Sequence, residues 1–120
     1  AYTYVVETAL LAIGPEPLAL DAVIAAVVAR DDQTGSDGAV TTFLGLVRNH
    51  NVGRRVLFLE YEAYDALALR AFERIADEAA VRWPDTRLAI HHRTGRIEIG
   101  GASVAIAAAS PHRGHAFSAC

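Results

Sequence analysis

Residues 86–109 have the sequence TRLAIHHRTGRIEIGGASVAIAAA, which contains three short runs of apolar and β-branched residues. The runs cover residues 86–93, 95–99 and 103–109, and glycines separate them. Short runs of this composition, bounded by glycine turns, are typical of strands that follow one another along the chain. This stretch therefore predicts three strands separated by glycine turns.

Further strands and two helices are predicted upstream of this stretch. Aromatic and β-branched residues predict strands at 2–8, 39–47 and 55–63, the last two joined by a polar turn. Apolar residues that recur at intervals of three or four predict helices at 18–30 and 65–83. The order of elements is therefore mixed along the chain.

The longer helix is amphipathic, and this predicts how it packs. Phe72, Ile75 and Ala79 lie on its apolar side, opposite a side rich in charged residues. A helix of this kind buries one face against a sheet. The predicted fold class is α+β, with an antiparallel sheet packed by helices in a single domain that covers residues 1–120.

Composition excludes several classes of protein. With 120 residues, of which 52% are hydrophobic, the chain can form one core and is neither disordered nor fibrous. All 11 basic residues are arginines, so no side-chain amine is available as a base or for a Schiff base. The net charge of −3 argues against a nucleic-acid-binding protein. An anionic ligand must therefore be bound by local groups.

No membrane segment is predicted, and the cysteine content indicates a reducing compartment. The longest apolar stretch, residues 18–29, is interrupted by Asp21 and is shorter than the roughly 20 residues that cross a bilayer. Cys120 is the only cysteine, which excludes an internal disulfide and a cysteine-based metal cluster within one chain. We expect a cytoplasmic protein.

Ser110 and Pro111 predict the start of a third helix. Serine is a good N-cap, and proline is favoured at the first helical position. His112 and Arg113 would then lie in the first turn, where free backbone N–H groups, the helix dipole and a guanidinium attract phosphate or carboxylate. The alternative is that Arg113 is a solvated helix residue and His112 a surface histidine.

Arg48 is the second candidate for binding an anion. It opens a polar loop directly after a predicted strand in which Gly45 permits close approach of the backbone. An arginine at a strand end can reach a neighbouring site or a partner subunit. A solvated charge in a hairpin is the simpler interpretation of its position alone.

Two other pairs of residues have spacings that occur in functional sites. Glu60 and Glu62 lie on one face of a predicted strand, as paired carboxylates for acid–base work would. A polar stripe that faces solvent is the simpler interpretation, because most antiparallel sheets have one. His112 and His115 are three residues apart, but no carboxylate accompanies them in the predicted helix, so no metal site is predicted.

Four segments together resemble the large, catalytic subunit of molybdopterin synthase. They are GAVTTFLGLVRNHN at 38–51, LEYEAY at 59–64, HRTG at 92–95 and SPHRGHAF at 110–117. No single segment is decisive, but the combination in this order is specific.

The resemblance implies an α/β hammerhead fold and a defined assembly. The large subunit forms a homodimer, and two small ubiquitin-like sulfur-carrier subunits complete a heterotetramer. The carrier's C-terminal thiocarboxylate enters a pocket, and its sulfur is transferred to cyclic pyranopterin monophosphate to form the dithiolene of molybdopterin. No metal or organic cofactor is expected. Residue by residue, the substrate contacts of the family fall on Leu46, Val47, Arg48, His112 and Arg113, with Phe43 nearby.

Given these contacts, our hypothesis for the mechanism is sulfur transfer by electrostatic positioning, with a separate role for each residue. Arg113 and the helix N-terminus hold the substrate phosphate, Arg48 steadies the second anion, sometimes from the neighbouring subunit, and His112 donates a hydrogen bond or a proton. Functional lysines of the family lie downstream of Ser110, so we expect a C-terminal segment beyond Cys120. The alternative is a non-catalytic α+β module that binds a ubiquitin-like partner or a small anion.

Overall fold

The computed structural model describes residues 9–28, 35–51, 54–55, 58–61 and 65–120. The strand predicted at 2–8 lies outside these residues. The strands are β1 Leu11–Gly14, β2 Ala39–Leu46, β3 His50–Asn51, β4 Arg54–Arg55, β5 Phe58–Tyr61, β6 Arg87–Arg93, β7 Gly95–Glu98 and β8 Ala102–Ser110. The helices are α1 Leu20–Val28, α2 Asp65–Arg82 and α3 Arg113–Ala119.

A four-stranded sheet forms the centre, in the order β1-β6-β8-β2. The pairs β6–β8 and β8–β2 are antiparallel, as expected, whereas β1 runs parallel to β6. The sequence did not predict β1, because it has only four residues and ends at the Gly14-Pro15 break. Within the described residues, β1 and β2 are the outer strands of this sheet.

Alanines in β8 allow helices to pack closely on both faces of the sheet. Ala105, Ala107 and Ala109 are fully buried on one face, where they contact Val23 and Val27 of α1. The intervening side chains point to the opposite face, because successive residues of a strand alternate. That face packs against α2 and the end of α3. The architecture is therefore a sheet between helices, as the sequence predicts.

The strands predicted at 39–47 and 55–63 do not pair with each other. β2 pairs along its whole length with β8, while β5 pairs with β7 in a separate two-stranded sheet. The predicted turn contains its own hairpin, in which β3 pairs with β4. The predicted hairpin is wrong because the long, alanine-rich β8 supplies a better partner for β2.

Helix α2 confirms the predicted amphipathic segment, with one correction. Phe72 and Ala79 pack against the sheet, but Ile75 is 48% exposed. The helix ends at Arg82, two residues before Pro84, which cannot continue it. Among the described residues, no helix has both the length and the apolar character needed to cross a membrane.

Candidate functional site

The turn between β8 and α3 differs from the prediction in its details. Ser110 is the last residue of β8 and is fully buried, so it is not the N-cap. The N-cap is His112, whose backbone is extended, with φ −119° and ψ 126°, and the helix begins at Arg113. Ser110 stays in the strand because its backbone pairs with Ala39, while its Oγ accepts a hydrogen bond from the His112 N–H at 3.3 Å. The predicted helical position of Pro111 is therefore wrong as well.

The helix that follows is short, and this changes the expected electrostatics. Helix α3 has seven residues, about two turns. Its dipole is correspondingly small, so the guanidinium of Arg113 is the main source of positive charge at this position. The Thr41 hydroxyl donates a hydrogen bond of 2.7 Å to the Ala116 carbonyl, and this contact fixes α3 to β2.

Gly38 holds the other side of the turn. Its N–H donates to the Ser110 carbonyl at 2.9 Å. A Cβ atom at this position would lie 2.3 Å from the Pro111 carbonyl oxygen, which belongs to the backbone and cannot easily move. Only glycine fits here, and the segment that carries His112 and Arg113 therefore has a fixed backbone.

A partly buried ion pair involves Asp37, the residue before Gly38. The Arg87 guanidinium contacts the Asp37 carboxylate, and its Nε also donates to the Val27 carbonyl at 2.9 Å. These contacts join the end of α1, the segment before β2 and the start of β6. No local sequence pattern predicts this pair, because its two residues are 50 positions apart.

His112 and Arg113 both have exposed side chains. Within the described part of the chain, neither side chain has a hydrogen bond or an ion pair. The His112 ring does contact the His115 ring, with centroids 5.7 Å apart and planes at 82°. The arrangement therefore presents a guanidinium and an imidazole on a fixed turn.

The second candidate segment is anchored by Val47. This residue is 3% exposed, its N–H donates to the Gly101 carbonyl at 2.9 Å, and its carbonyl accepts from the Gly100 N–H at 2.9 Å. Arg48 follows directly and is exposed. Val47 thus fixes the backbone at Arg48, while its own side chain faces the core.

Exposed apolar side chains lie on β2 before Arg48 and on α3. Phe43 is 52% exposed and Leu46 is 56% exposed. Phe43 pairs with Ile106, so it lies on the face of the sheet that α3 covers. Phe117 of α3 is also 71% exposed. Gly45 lies between Phe43 and Leu46 along β2. A Cβ atom at Gly45 would lie only 2.7 Å from the Val104 side chain, which favours glycine at this position.

Within one chain, Arg48 and Arg113 do not lie together. Ala39 pairs with Ser110 at one end of β2, and Leu46 pairs with Ala102 at the other. Arg113 follows the first end and Arg48 follows the second. Seven residues of strand separate these ends by about 23 Å. A single copy therefore does not bring the two guanidinium groups into one pocket.

The remaining sequence candidates have structural partners or lie outside the described residues. Glu60 of β5 stands opposite Arg96 of β7, and Glu62 lies outside the described residues. His91 is 7% exposed, with its Nε2 2.7 Å from the Ala9 carbonyl oxygen. The described residues contain no group of three histidine, cysteine or acidic side chains that could hold a metal ion.

A contact between Asp85 and His115 was not foreseen from the sequence. Both carboxylate oxygens of Asp85 lie 3.1 Å from His115 Nδ1. Partial desolvation raises the pKa of Asp85, but hydrogen bonds from His115 and Thr86 and the charge of His115 outweigh it, so the pKa lies below its usual value. The two residues are 30 positions apart, which is why a local pattern could not predict the pair.

A cavity of about 210 Å³ lies elsewhere, between the start of α1 and the β1–β6 pair. Its walls are mainly apolar, with His91, His92 and Glu16 among them. It opens at the β1 edge of the sheet, whereas α3 and β2 occupy the other edge. The cavity is therefore not part of the His112–Arg113 site.

Comparison with known proteins identifies related sequences and structures. A model of the MoaE protein family matches residues 13–120. The molybdopterin synthase catalytic subunit of Nostoc sp. is 46% identical over 86 residues, which cover 71% of this chain and 52% of that protein. The subunit of the same name from Pyrococcus abyssi is 40% identical over 106 residues, which cover 88% of this chain and 68% of that protein.

A solved structure agrees with the fold. The crystal structure of molybdopterin synthase from Staphylococcus aureus matches with a TM-score of 0.81 and 36% identity, covering 89% of this chain and 74% of that one. The chain spans about half the length of the Nostoc relative and about two thirds of the Pyrococcus relative.

Proposed function

The chain belongs to the MoaE protein family, and on that premise we propose that it forms the catalytic core of the large subunit of molybdopterin synthase. The reaction is sulfur transfer from the thiocarboxylated C-terminus of a small ubiquitin-like carrier to cyclic pyranopterin monophosphate. The product carries the dithiolene that later binds molybdenum. The exposed Arg113 guanidinium, on a turn fixed by buried contacts, is the observation that best supports this proposal.

Arg113 suits the phosphate of the substrate. A guanidinium can donate two parallel hydrogen bonds to phosphate oxygens, which gives both affinity and orientation. The rigid turn at Gly38 and Pro111 limits the entropy lost when the anion binds, because the backbone is already ordered. Arg113 therefore serves as the phosphate anchor.

His112 suits a step that needs a proton or a hydrogen bond. Its exposed imidazole is next to Arg113 in sequence and is not used to cap α3. Histidine changes its charge close to neutral pH and is the commonest acid or base in enzymes. The 120 residues contain no lysine, so this chain contributes imidazole and guanidinium to the reaction but no amine.

Arg48 is proposed to act in the site of a second copy. One chain separates it from Arg113 by the length of β2, so a homodimer is the simplest assembly that completes the site. The exposed Phe43, Leu46 and Phe117 supply apolar surface for the second copy or for the carrier. Leu46 would then contact the substrate next to Arg48, while Val47 contributes by fixing the backbone at Arg48.

A cytoplasmic location is part of the proposal. Cys120 is the only cysteine, so the chain has no internal disulfide to favour an oxidising compartment.

The test is a sulfur-transfer assay with full-length protein, thiocarboxylated carrier and the pterin substrate. We expect Arg113→Ala to lower kcat/KM about 30-fold, because losing charge-assisted hydrogen bonds to phosphate costs about 2 kcal/mol. Arg74→Ala is the matched control, since Arg74 is an exposed arginine of α2. Equal activity in the two variants would contradict the proposed role of Arg113.

The same assay separates catalysis from the alternative of a binding module. If wild-type protein binds the carrier but transfers no sulfur, the chain is a non-catalytic module. If it transfers sulfur and Arg113→Ala transfers it about 30-fold less efficiently, the proposed function stands.

A further inference from the structure

Asp85 connects two parts of the chain that meet beside the proposed site. It lies in the turn between α2 and β6, where the Thr86 N–H donates to the Trp83 carbonyl at 3.0 Å. Its carboxylate reaches His115 in the first turns of α3, with both oxygens 3.1 Å from Nδ1. The Thr86 hydroxyl, 3.1 Å from Asp85 Oδ1, helps to hold the carboxylate in place.

The contact fixes one orientation of the His115 ring. An ionised carboxylate is only an acceptor, so Nδ1 of His115 must carry the proton that it donates. The lowered pKa of Asp85 keeps the carboxylate ionised over the neutral range. The ring of His115 is thereby held by a group outside its own helix.

The fixed ring of His115 in turn borders His112. The two ring centroids are 5.7 Å apart, and the planes meet at 82°, an edge-to-face arrangement. His112 makes no side-chain capping bond to α3 that would orient it in another way. The ring of His112 therefore has the ring of His115 as its neighbour.

We propose that Asp85 and His115 are positioning residues for His112. Asp85 holds the His115 ring, and that ring sets the direction in which the His112 imidazole faces a bound anion. The inference rests on the proposed function in assigning His112 a substrate contact. It adds two residues that the resemblance to the family does not name.

Three substitutions at Asp85 and one control test the proposal in the sulfur-transfer assay. Asp85→Ala removes the acceptor, and we expect kcat to fall about tenfold or more, since a small misplacement of a reacting group is costly. KM should stay within about twofold, because Arg113 still binds the phosphate. Asp85→Asn keeps an oxygen acceptor and should restore most of kcat, whereas Asp85→Glu should restore part. Asp77→Ala removes an exposed acid of α2 and should change neither constant.

A double-mutant cycle tests whether Asp85 acts through His112. In a His112→Ala background, Asp85→Ala should cause no further loss, because there is no ring left to position. An additional tenfold loss in that background would overturn the proposal. All variants should unfold at temperatures close to wild type, since exposed ion pairs add little stability.

Ring signals in an NMR spectrum give a readout that does not depend on activity. We expect Asp85→Ala to shift the carbon-bound proton signals of both His115 and His112, and Asp77→Ala to shift neither. Unchanged His112 signals in Asp85→Ala would overturn the inference even if activity fell.

The two proposals fail in different ways. If Arg113→Ala lowers transfer while Asp85→Ala is fully active, only the positioning role is lost. If neither substitution affects transfer, both residue roles are wrong, and if the wild-type protein transfers no sulfur, the proposed function itself is wrong.

Discussion

At the scale of single residues, the turn that carries His112 and Arg113 depends on two closely packed positions. Gly38 is next to the Pro111 carbonyl, and Ser110 is buried at the end of β8. His112 and Arg113 could be identified from the sequence as site candidates because Ser110 and Pro111 predict a helix start, where backbone N–H groups and a guanidinium attract anions. Asp37, Asp85 and their partners could not, because their contacts join distant parts of the chain.

Gly38→Ala should destabilise the protein and weaken binding of inorganic phosphate. The new methyl group would overlap a backbone carbonyl, and relieving such an overlap costs about 1–3 kcal/mol. The measurement is urea unfolding together with a phosphate titration. Gly114→Ala is the control, because nothing lies within 4 Å of its added Cβ. That substitution in α3 should stabilise the protein by about 0.5–1 kcal/mol, and equal stability of the two variants would contradict the close approach at Gly38.

At the scale of elements, local patterns predicted which segments are strands or helices but not how strands pair. β2, β6, β7, β8 and α2 appear close to their expected positions. Pairing is decided by contacts between distant segments, so β2 joined β8 rather than the next strand along the chain. The start of α3 was misplaced because Ser110, a good cap, is also the last partner of Ala39 in the sheet.

Helix α3 should lose its attachment to β2 when Thr41 becomes valine. Thr41→Val keeps the shape but removes the hydroxyl that donates to the Ala116 carbonyl. We expect a loss of about 1–2 kcal/mol in unfolding free energy. Relative to wild type, amide exchange should become faster in α3 and stay unchanged in α1, because the lost hydrogen bond holds only α3. Thr42→Val, at an exposed position of the same strand, is the control and should leave both measurements unchanged.

At the scale of the whole molecule, the proposed joint action of the two arginines needs more than one copy, because one chain holds them apart. The resemblance implied a dimer, and the register of β2 adds a physical reason for it. The sequence alone could not show this, because the distance between Arg48 and Arg113 follows from strand pairing and not from spacing along the chain.

Co-expression of Arg48→Ala and Arg113→Ala subunits should restore activity that neither variant has alone. If Arg48 serves the neighbouring site, each mixed dimer has one site with both arginines. Random pairing then gives about a quarter of wild-type activity, because half of the dimers are mixed. The sulfur-transfer assay on the purified mixture measures this fraction. If both arginines act within one chain, the mixture will be as inactive as its components.

Because β2 pairs with β8 along its whole length, β2 holds the Arg113 turn and the Arg48 segment at a fixed distance from each other. Removing two residues from both strands would keep every side chain on its original face, because strands alternate with a period of two. It would shorten the span by about 7 Å. Strand length therefore sets the distance between the Arg113 turn and the Arg48 segment independently of which residues face the core.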